Sequence, residues 1–163
     1  MKKYLWGLIS LPVAAALVYL DQITKIWAVS ELEGKGTIQV LGDFFIYHFA
    51  RNRGAFLILG NNLPDFVWYF GMVILPVAAL LGFTIYVVMK HPENLKLWVL
   101  WILVTAGGAG NLVDRILSGA VVDFMNLGIG PIRSGIFNVA DLYIVFAVIF
   151  VLFWSPFKKT PKK

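Results

Sequence analysis

The sequence predicts a mainly α membrane protein: a bundle of four transmembrane helices with a small extracytoplasmic β-sheet or loop region between spans one and two. Three observations predict this fold class. The 163 residues are 60% hydrophobic and only 14% charged, whereas soluble domains have about 25% charged residues. Four apolar segments approach the roughly 20 residues that a helix needs to cross the hydrocarbon core. Lysine clusters flank these segments. The length of the chain predicts a single domain over residues 1–163.

The predicted spans lie at about residues 4–24, 66–89, 97–117 and 136–154. Span one is kept as a helix because it ends in DQITK rather than in the small-residue cleavage site of a secretory signal peptide. Between spans one and two, at about residues 36–60, Thr, Ile, Val, Phe and Tyr are dense and glycines interrupt them. This composition favours short strands in an outer β-rich loop.

The distribution of charge predicts the orientation. Four crossings place both termini on one side, which then has eight lysines against Glu93 alone, a net charge of +7, and leaves −2 of the total +5 for the other side. Because cytoplasmic loops have an excess of Lys and Arg, we expect cytoplasmic termini and a functional face outside. The absence of cysteine excludes disulfides, thiol nucleophiles and thiolate metal sites.

Two aspartates lie in apolar company near the predicted outer ends of spans three and four. Asp123 belongs to VVDF and Asp141 to FNVAD. Like charges that converge in a poorly solvated site tend to share one proton. One carboxyl group could then activate water while the other protonates a leaving amine, which predicts peptide hydrolysis. The simpler interpretation, for either residue alone, is an interfacial aspartate that caps a helix.

Two further motifs contain polar groups in or beside the predicted helices. In DQITK, Asp21 and Lys25 are four residues apart and therefore on one helical face, as in an interfacial ion pair. In NRGA, Asn52 can donate and accept hydrogen bonds, and Gly54 permits a turn or a close approach. Taken alone, NRGA is more often a plain turn than a site.

A third motif, AGGAGNLVDR, lies on predicted span three. Gly107, Asn111 and Asp114 form one stripe at i, i+4 and i+7 with Arg115 beside it, and small residues there allow close approach of a helix or a substrate. The alternative is glycine-mediated helix packing with an ion pair between Asp114 and Arg115.

The motifs D-Q-x-T-K, N-R-G-A, G-N-L-V-D-R, V-V-D-F and F-N-V-A-D, in this order on four apolar spans, resemble the lipoprotein signal peptidases, or signal peptidase II. The resemblance covers the whole chain. It implies an aspartic peptidase of the bacterial inner membrane that cleaves diacylglyceryl-modified prolipoproteins on the N-terminal side of the lipidated cysteine. The chain departs from the family pattern in AGGAGN, where G-G-x-x-G-N is expected, and at Tyr143, where a small or hydroxyl residue is commoner.

The resemblance also implies roles for individual residues. Asp123 and Asp141 become the catalytic dyad. The residues expected to bind substrate are Asn52, Gly54, Asn111, Arg115 and Asn138. The residues expected to support the site are Asp21, Lys25 and Asp114.

We expect no metal or cofactor, since His48 and His91 are isolated and no H-E-x-x-H motif is present. The expected partners are prolipoprotein signal peptides and membrane lipid, with no nucleic acid, and the expected state is a monomer. Two alternatives stay open at this point. A small proton-coupled transporter also uses intramembrane carboxylates, and a non-catalytic membrane protein could bind lipopeptides with the same motifs.

Overall fold

The computed structural model describes residues 5–54 and 63–154. Its helices are α1 (Leu5–Leu32), α2 (Asp65–Lys90), α3 (Leu95–Ser118) and α4 (Val139–Trp154). Helix α3 is central, because it packs against each of the other three helices. The prediction of a mainly helical protein is therefore confirmed.

Three of the described helices, α1, α2 and α3, are long and apolar enough to cross a membrane. The fourth, α4, has 16 described residues, fewer than the roughly 20 of a full crossing. Four crossings therefore remain a prediction. Helix α1 continues to Leu32, past the expected end near residue 24, so Asp21 and Lys25 lie within the helix rather than closing it.

Helix α2 contains one irregular turn. Phe70–Ile74 is π-helical, and Pro76 follows in the next turn. Proline has no N–H to donate to the carbonyl of the preceding turn, and π-turns occur where the regular ladder is interrupted. The N-terminal part of α2 is thereby separated from the regular helix that follows.

A four-stranded antiparallel sheet has the order β1-β2-β3-β4. Its strands are β1 (Thr37–Leu41), β2 (Phe45–Asn52), β3 (Val121–Ile129) and β4 (Ile132–Arg133). The sequence prediction confined the sheet to the loop between spans one and two, but β3 and β4 come from the segment after α3. Gly119 ends α3 in the left-handed conformation, with φ of 72°, and the short apolar run behind it cannot be told from helix by periodicity.

The sheet packs on the C-terminal part of α1. Ala28 and Leu32 of α1 form one buried cluster with Val122 and Phe124 of β3. A second cluster holds α1, α2, α3 and α4 together around Trp98. Many large apolar side chains elsewhere on the helices are exposed, as expected of surfaces in contact with lipid rather than water.

Candidate active site

The register of the sheet places Asp123. Asp123 pairs with Ala50 across β2 and β3, so Asn52 is its diagonal neighbour on the same face. The side-chain amide of Asn52 donates to Oδ2 of Asp123 at 3.1 Å. Only 3% of Asp123 is exposed. A strand that the sequence did not predict therefore holds this carboxylate in a buried position.

The first turn of α4 places Asp141. The backbone N–H of Asp141 donates to the side-chain oxygen of Asn138 at 3.0 Å, and the Asn138 N–H donates to Oδ2 of Asp141 at 3.1 Å. This reciprocal pair is a capping box, with Asn in place of the usual Ser or Thr. The other oxygen, Oδ1, accepts from the amide of Asn111 at 2.8 Å. Capping and a direct contact with α3 therefore fix the orientation of Asp141.

Asn138 joins the two aspartates. Its side-chain nitrogen donates to Oδ1 of Asp123 at 2.6 Å and to the side-chain oxygen of Asn111 at 3.1 Å. The backbone of Phe137 bonds to Met125 of β3, which holds the chain before α4 against the strand that contains Asp123. One fully buried amide therefore contacts Asp123 and caps the helix turn of Asp141.

Burial and charge both act on Asp123. Removal from solvent is the larger cause that raises the pKa of Asp123 to about 6, and the nearby charge of Asp141 adds to it. Hydrogen bonds from Asn52 and Asn138 oppose the rise in pKa. Asp123 therefore holds a proton up to about pH 6, above the pH range in which an aspartate ordinarily ionises.

A buried ion-pair network lies beside the two aspartates. The Lys25 ammonium group is 2.9 Å from Oδ2 of Asp21 and 3.0 Å from Oδ2 of Asp114. It also donates to the side-chain oxygen of Asn111 at 3.0 Å. Gln22 donates to Asp21, to Asp114 and to the Gly110 carbonyl. The expected i,i+4 pair of Asp21 and Lys25 is thus one part of a larger network.

The two acids of the network also hold backbone that leads to the site. Oδ1 of Asp21 accepts from the N–H of Ala140 in the first turn of α4 at 2.8 Å. Oδ2 of Asp114 accepts from the N–H of Val122, the neighbour of Asp123, at 3.0 Å. Each acid therefore orders the segment that carries one member of the pair.

Arg115 has a different partner from the one its sequence position suggested. Its guanidinium group donates to the carbonyl oxygen of Gly54 at 3.2 Å, while Asp114 forms its ion pair with Lys25. Adjacent residues of a helix do not face each other, which accounts for the difference. Nε of Arg115 is buried and has no hydrogen-bond partner within the described residues.

All ten residues singled out from the sequence thus lie in one connected region, although the roles assigned to them remain predictions. Gln22 lies in the DQITK motif, for which the sequence predicted roles only for Asp21 and Lys25, and it takes part in the network. Its position next to Asp21 was the available signal. Tyr143 donates to the Leu17 carbonyl at 3.3 Å and so connects α4 to α1. Gly107 allows α4 to approach closely, since a Cβ atom at this position would lie 2.7 Å from the carbonyl oxygen of Ala140.

Within residues 5–54 and 63–154, no group of three or more His, Cys, Asp or Glu side chains is arranged to hold a metal ion. Independence from metal is a prediction that chelation can test.

The sequence was compared with known families and proteins. The sequence model of the family described as signal peptidase (SPase) II matches residues 13–157. A lipoprotein signal peptidase of Psychromonas ingrahamii is 32% identical over 163 residues, which cover 98% of this chain and 88% of that protein. A lipoprotein signal peptidase of Streptococcus thermophilus is 36% identical over 146 residues, 88% of this chain and 90% of that protein.

The fold was compared with solved structures. One structure, described as a bacterial membrane enzyme obtained by the in meso method at 1.9 Å resolution, matches with a TM-score of 0.80 and 29% identity. The match covers 96% of this chain and 97% of that one. A second structure of the same description, at 2.3 Å resolution, matches with a TM-score of 0.78 and 28% identity over 98% of this chain and 96% of that one.

Proposed function

Because the chain belongs to the signal peptidase II family and is a peptidase, we propose that Asp123 and Asp141 are its catalytic dyad. The substrates are bacterial prolipoproteins whose cysteine already carries diacylglycerol. Cleavage occurs on the N-terminal side of that cysteine and frees the signal peptide. One observation carries the assignment: Asn138 contacts Asp123 with its side chain while it caps the turn of Asp141.

In the proposed mechanism the dyad begins with one proton, on Asp123, whose pKa is raised to about 6. Asp141 takes a proton from water, the water oxygen bonds to the scissile carbonyl carbon, and Asp123 gives its proton to the carbonyl oxygen. Asp141 then gives its proton to the amide nitrogen as the C–N bond breaks. Asp123 takes a proton back from a hydroxyl of the tetrahedral intermediate. The products are a carboxyl group and an amine, and the dyad returns to its starting state.

We propose that substrate binds to polar groups around the dyad that still have a hydrogen-bond donor without a partner among the described residues. Arg115 has a buried Nε without a partner among the described residues, so this nitrogen could donate to a substrate carbonyl. Asn138 has both side-chain N–H groups and its oxygen engaged. We therefore assign Asn138 to positioning rather than to substrate contact.

The proposed location is the bacterial inner membrane, with both termini in the cytoplasm and the dyad on the outer side. The lysine-rich termini lie outside the described residues, so the support comes from the charge asymmetry of the sequence. The chain has no cysteine, which allows a direct test with the single substitutions Q39C and E93C. A membrane-impermeant maleimide added to spheroplasts should label Q39C and leave E93C unlabelled until the membrane is opened. The reverse pattern would contradict the orientation.

Cleavage by the purified protein tests the function. The assay compares a diacylglyceryl-modified prolipoprotein peptide with the same peptide carrying an unmodified cysteine, with and without EDTA. We expect cleavage of the modified peptide alone, N-terminal to cysteine and unaffected by EDTA. The transporter and lipopeptide-binding alternatives both predict an intact peptide. Inhibition by EDTA with recovery on addition of zinc would contradict the aspartic mechanism.

A further inference from the structure

Arg53 connects the end of β2 to the start of α2. Its guanidinium group lies over the ring of Trp68, 5.4 Å from the ring centroid, and forms an ion pair with Asp65. Its backbone carbonyl accepts a hydrogen bond from the indole N–H of Trp68. Three contacts of different kinds therefore converge on one residue of a short turn.

The neighbours of Arg53 on both sides belong to the proposed active site. Asn52 donates to Asp123 at 3.1 Å, and Gly54 accepts from Arg115 at 3.2 Å. The N–H of Gly54 also donates to the side-chain oxygen of Asn52 at 3.0 Å, which closes the turn. Because consecutive residues share backbone, a shift at Arg53 moves both contacts.

Trp68 is well placed to hold this turn. It is 5% exposed and packs with Val73 of the π-helical turn and with Leu112 of α3. Leu112 follows Asn111, which contacts Asp141. Trp68 therefore anchors the turn to the same helix that positions the second aspartate.

We propose that Trp68 is a positioning residue for the peptidase reaction, acting through the Arg53 carbonyl to keep Asn52 on Asp123 and Gly54 on Arg115. This inference rests on the proposed function. The hydrogen bond from the indole N–H of Trp68 to the Arg53 carbonyl is the main contact in this role. The ion pair between Arg53 and Asp65 is secondary, since the two side chains are 47% and 90% exposed and exposed pairs contribute little.

The discriminating variant is W68F, which keeps an aromatic ring against Leu112 and removes the indole N–H. The half-buried hydrogen bond to the carbonyl of Arg53 is then lost, and the turn loosens. We expect kcat/KM for the lipidated peptide to fall by up to about tenfold, the scale of one hydrogen bond. Loss of the Asn52 hydrogen bond should also raise the pKa of Asp123 further, since that bond lowers it. The alkaline limb of the pH profile should therefore move to higher pH.

Three comparisons complete the test. D65N and Y69F, at an exposed ion-pair partner and at the residue next to Trp68, should change kcat/KM less than about twofold. Because Trp68 is proposed to act partly through Asn52, the losses of W68F and N52A should combine to less than their sum. If W68F yields no folded protein, W68Y, which also lacks the indole N–H, replaces it and should shift the pH profile in the same direction.

A wild-type pH profile in W68F, or full additivity of W68F with N52A, would overturn the positioning role. An equal loss in D65N would also overturn it. These outcomes are distinct from failure of the proposed function, which would appear as no cleavage by the wild-type protein or as full activity in D123N.

Discussion

The side-chain nitrogen of Asn138 lies 2.6 Å from Oδ1 of Asp123 and is part of a residue that also caps the helix turn of Asp141. The substitution N138A removes both interactions. Loss of a helix cap costs about 1 kcal/mol, and Asp123 loses a hydrogen bond that stabilises its ionised form. We expect a moderate fall in melting temperature and a much larger fall in cleavage rate.

Asn94 provides the matched control for this prediction. It caps α3 by accepting from the N–H of Leu97 at 3.3 Å, at the end of the helix away from the dyad. N94A should lower the melting temperature as the loss of a helix cap does and leave the cleavage rate near that of the wild type. Equal losses of activity in the two variants would mean that Asn138 serves stability alone.

Gly110 is required by a close approach. A Cβ atom there would lie 2.6 Å from Oδ2 of Asp21 and 3.1 Å from Cβ of Ala140. Asp21 cannot retreat without losing Lys25 and its bond to α4. We therefore expect G110A to lower both the melting temperature and the activity.

Gly82 in α2 is the control for G110A, because a Cβ there would meet nothing within 4 Å. G82A should be neutral or slightly stabilising, since Ala is favoured over Gly within helices by up to about 1 kcal/mol. Comparison of thermal unfolding in detergent tests the pair. Similar behaviour of the two variants would show that the contact between α1, α3 and α4 is loose.

Lys25 compensates two buried carboxylates. Its side chain is 3% exposed, and those of Asp21 and Asp114 are 0% and 8% exposed. K25M leaves both acids without their cation, and removal of one partner from a buried ion pair costs about 3–5 kcal/mol. K35M is the control, because Lys35 and Glu31 are each 54% exposed and such pairs contribute at most about 1 kcal/mol. A stable K25M protein would contradict the role of the network.

The pH dependence of cleavage follows from Asp123. Its pKa is raised to about 6, so the protonated form that the mechanism requires is present below that pH and is lost above it. We expect kcat/KM to fall as pH rises through about 6. The apparent pKa of this fall belongs to Asp123 and Asp141 together, because the two carboxyl groups titrate as a coupled pair. N52A removes a bond that lowers this pKa and should move the fall to higher pH. A kcat/KM profile that is flat from about pH 5 to about pH 8 would exclude Asp123 as the proton donor.

Sequence reasoning succeeded where the interaction is local or the composition is extreme. The apolar segments located the helices, and the spacing of Asp21 and Lys25 gave an ion pair that the structure contains at 2.9 Å. It failed for the partner of Asp114, because the neighbour in sequence, Arg115, points elsewhere and the true partner, Lys25, comes from another helix.

The non-local geometry of the site was also beyond the sequence. The bond between Asn52 and Asp123 depends on the pairing of β2 with β3, whose register shifts between Tyr47 and Ala50. Such an irregularity leaves no periodic signal, and β3 itself was hidden as a short apolar run after Gly119. The contact of Trp68 with the Arg53 carbonyl likewise joins segments whose approach only the folded chain reveals.

The most direct test of the catalytic assignment is cleavage of a diacylglyceryl-modified peptide by purified D123N, D141N and D114N. Each Asn substitution keeps size and removes acid–base function, so D123N and D141N should lose at least about 10²–10⁴ in rate while they still fold and insert. D114N should lose stability, because Asp114 binds Lys25 and the Val122 N–H, yet retain partial activity in the folded fraction. A well-folded D114N that is inactive, beside a D123N or D141N that still cleaves, would contradict the dyad.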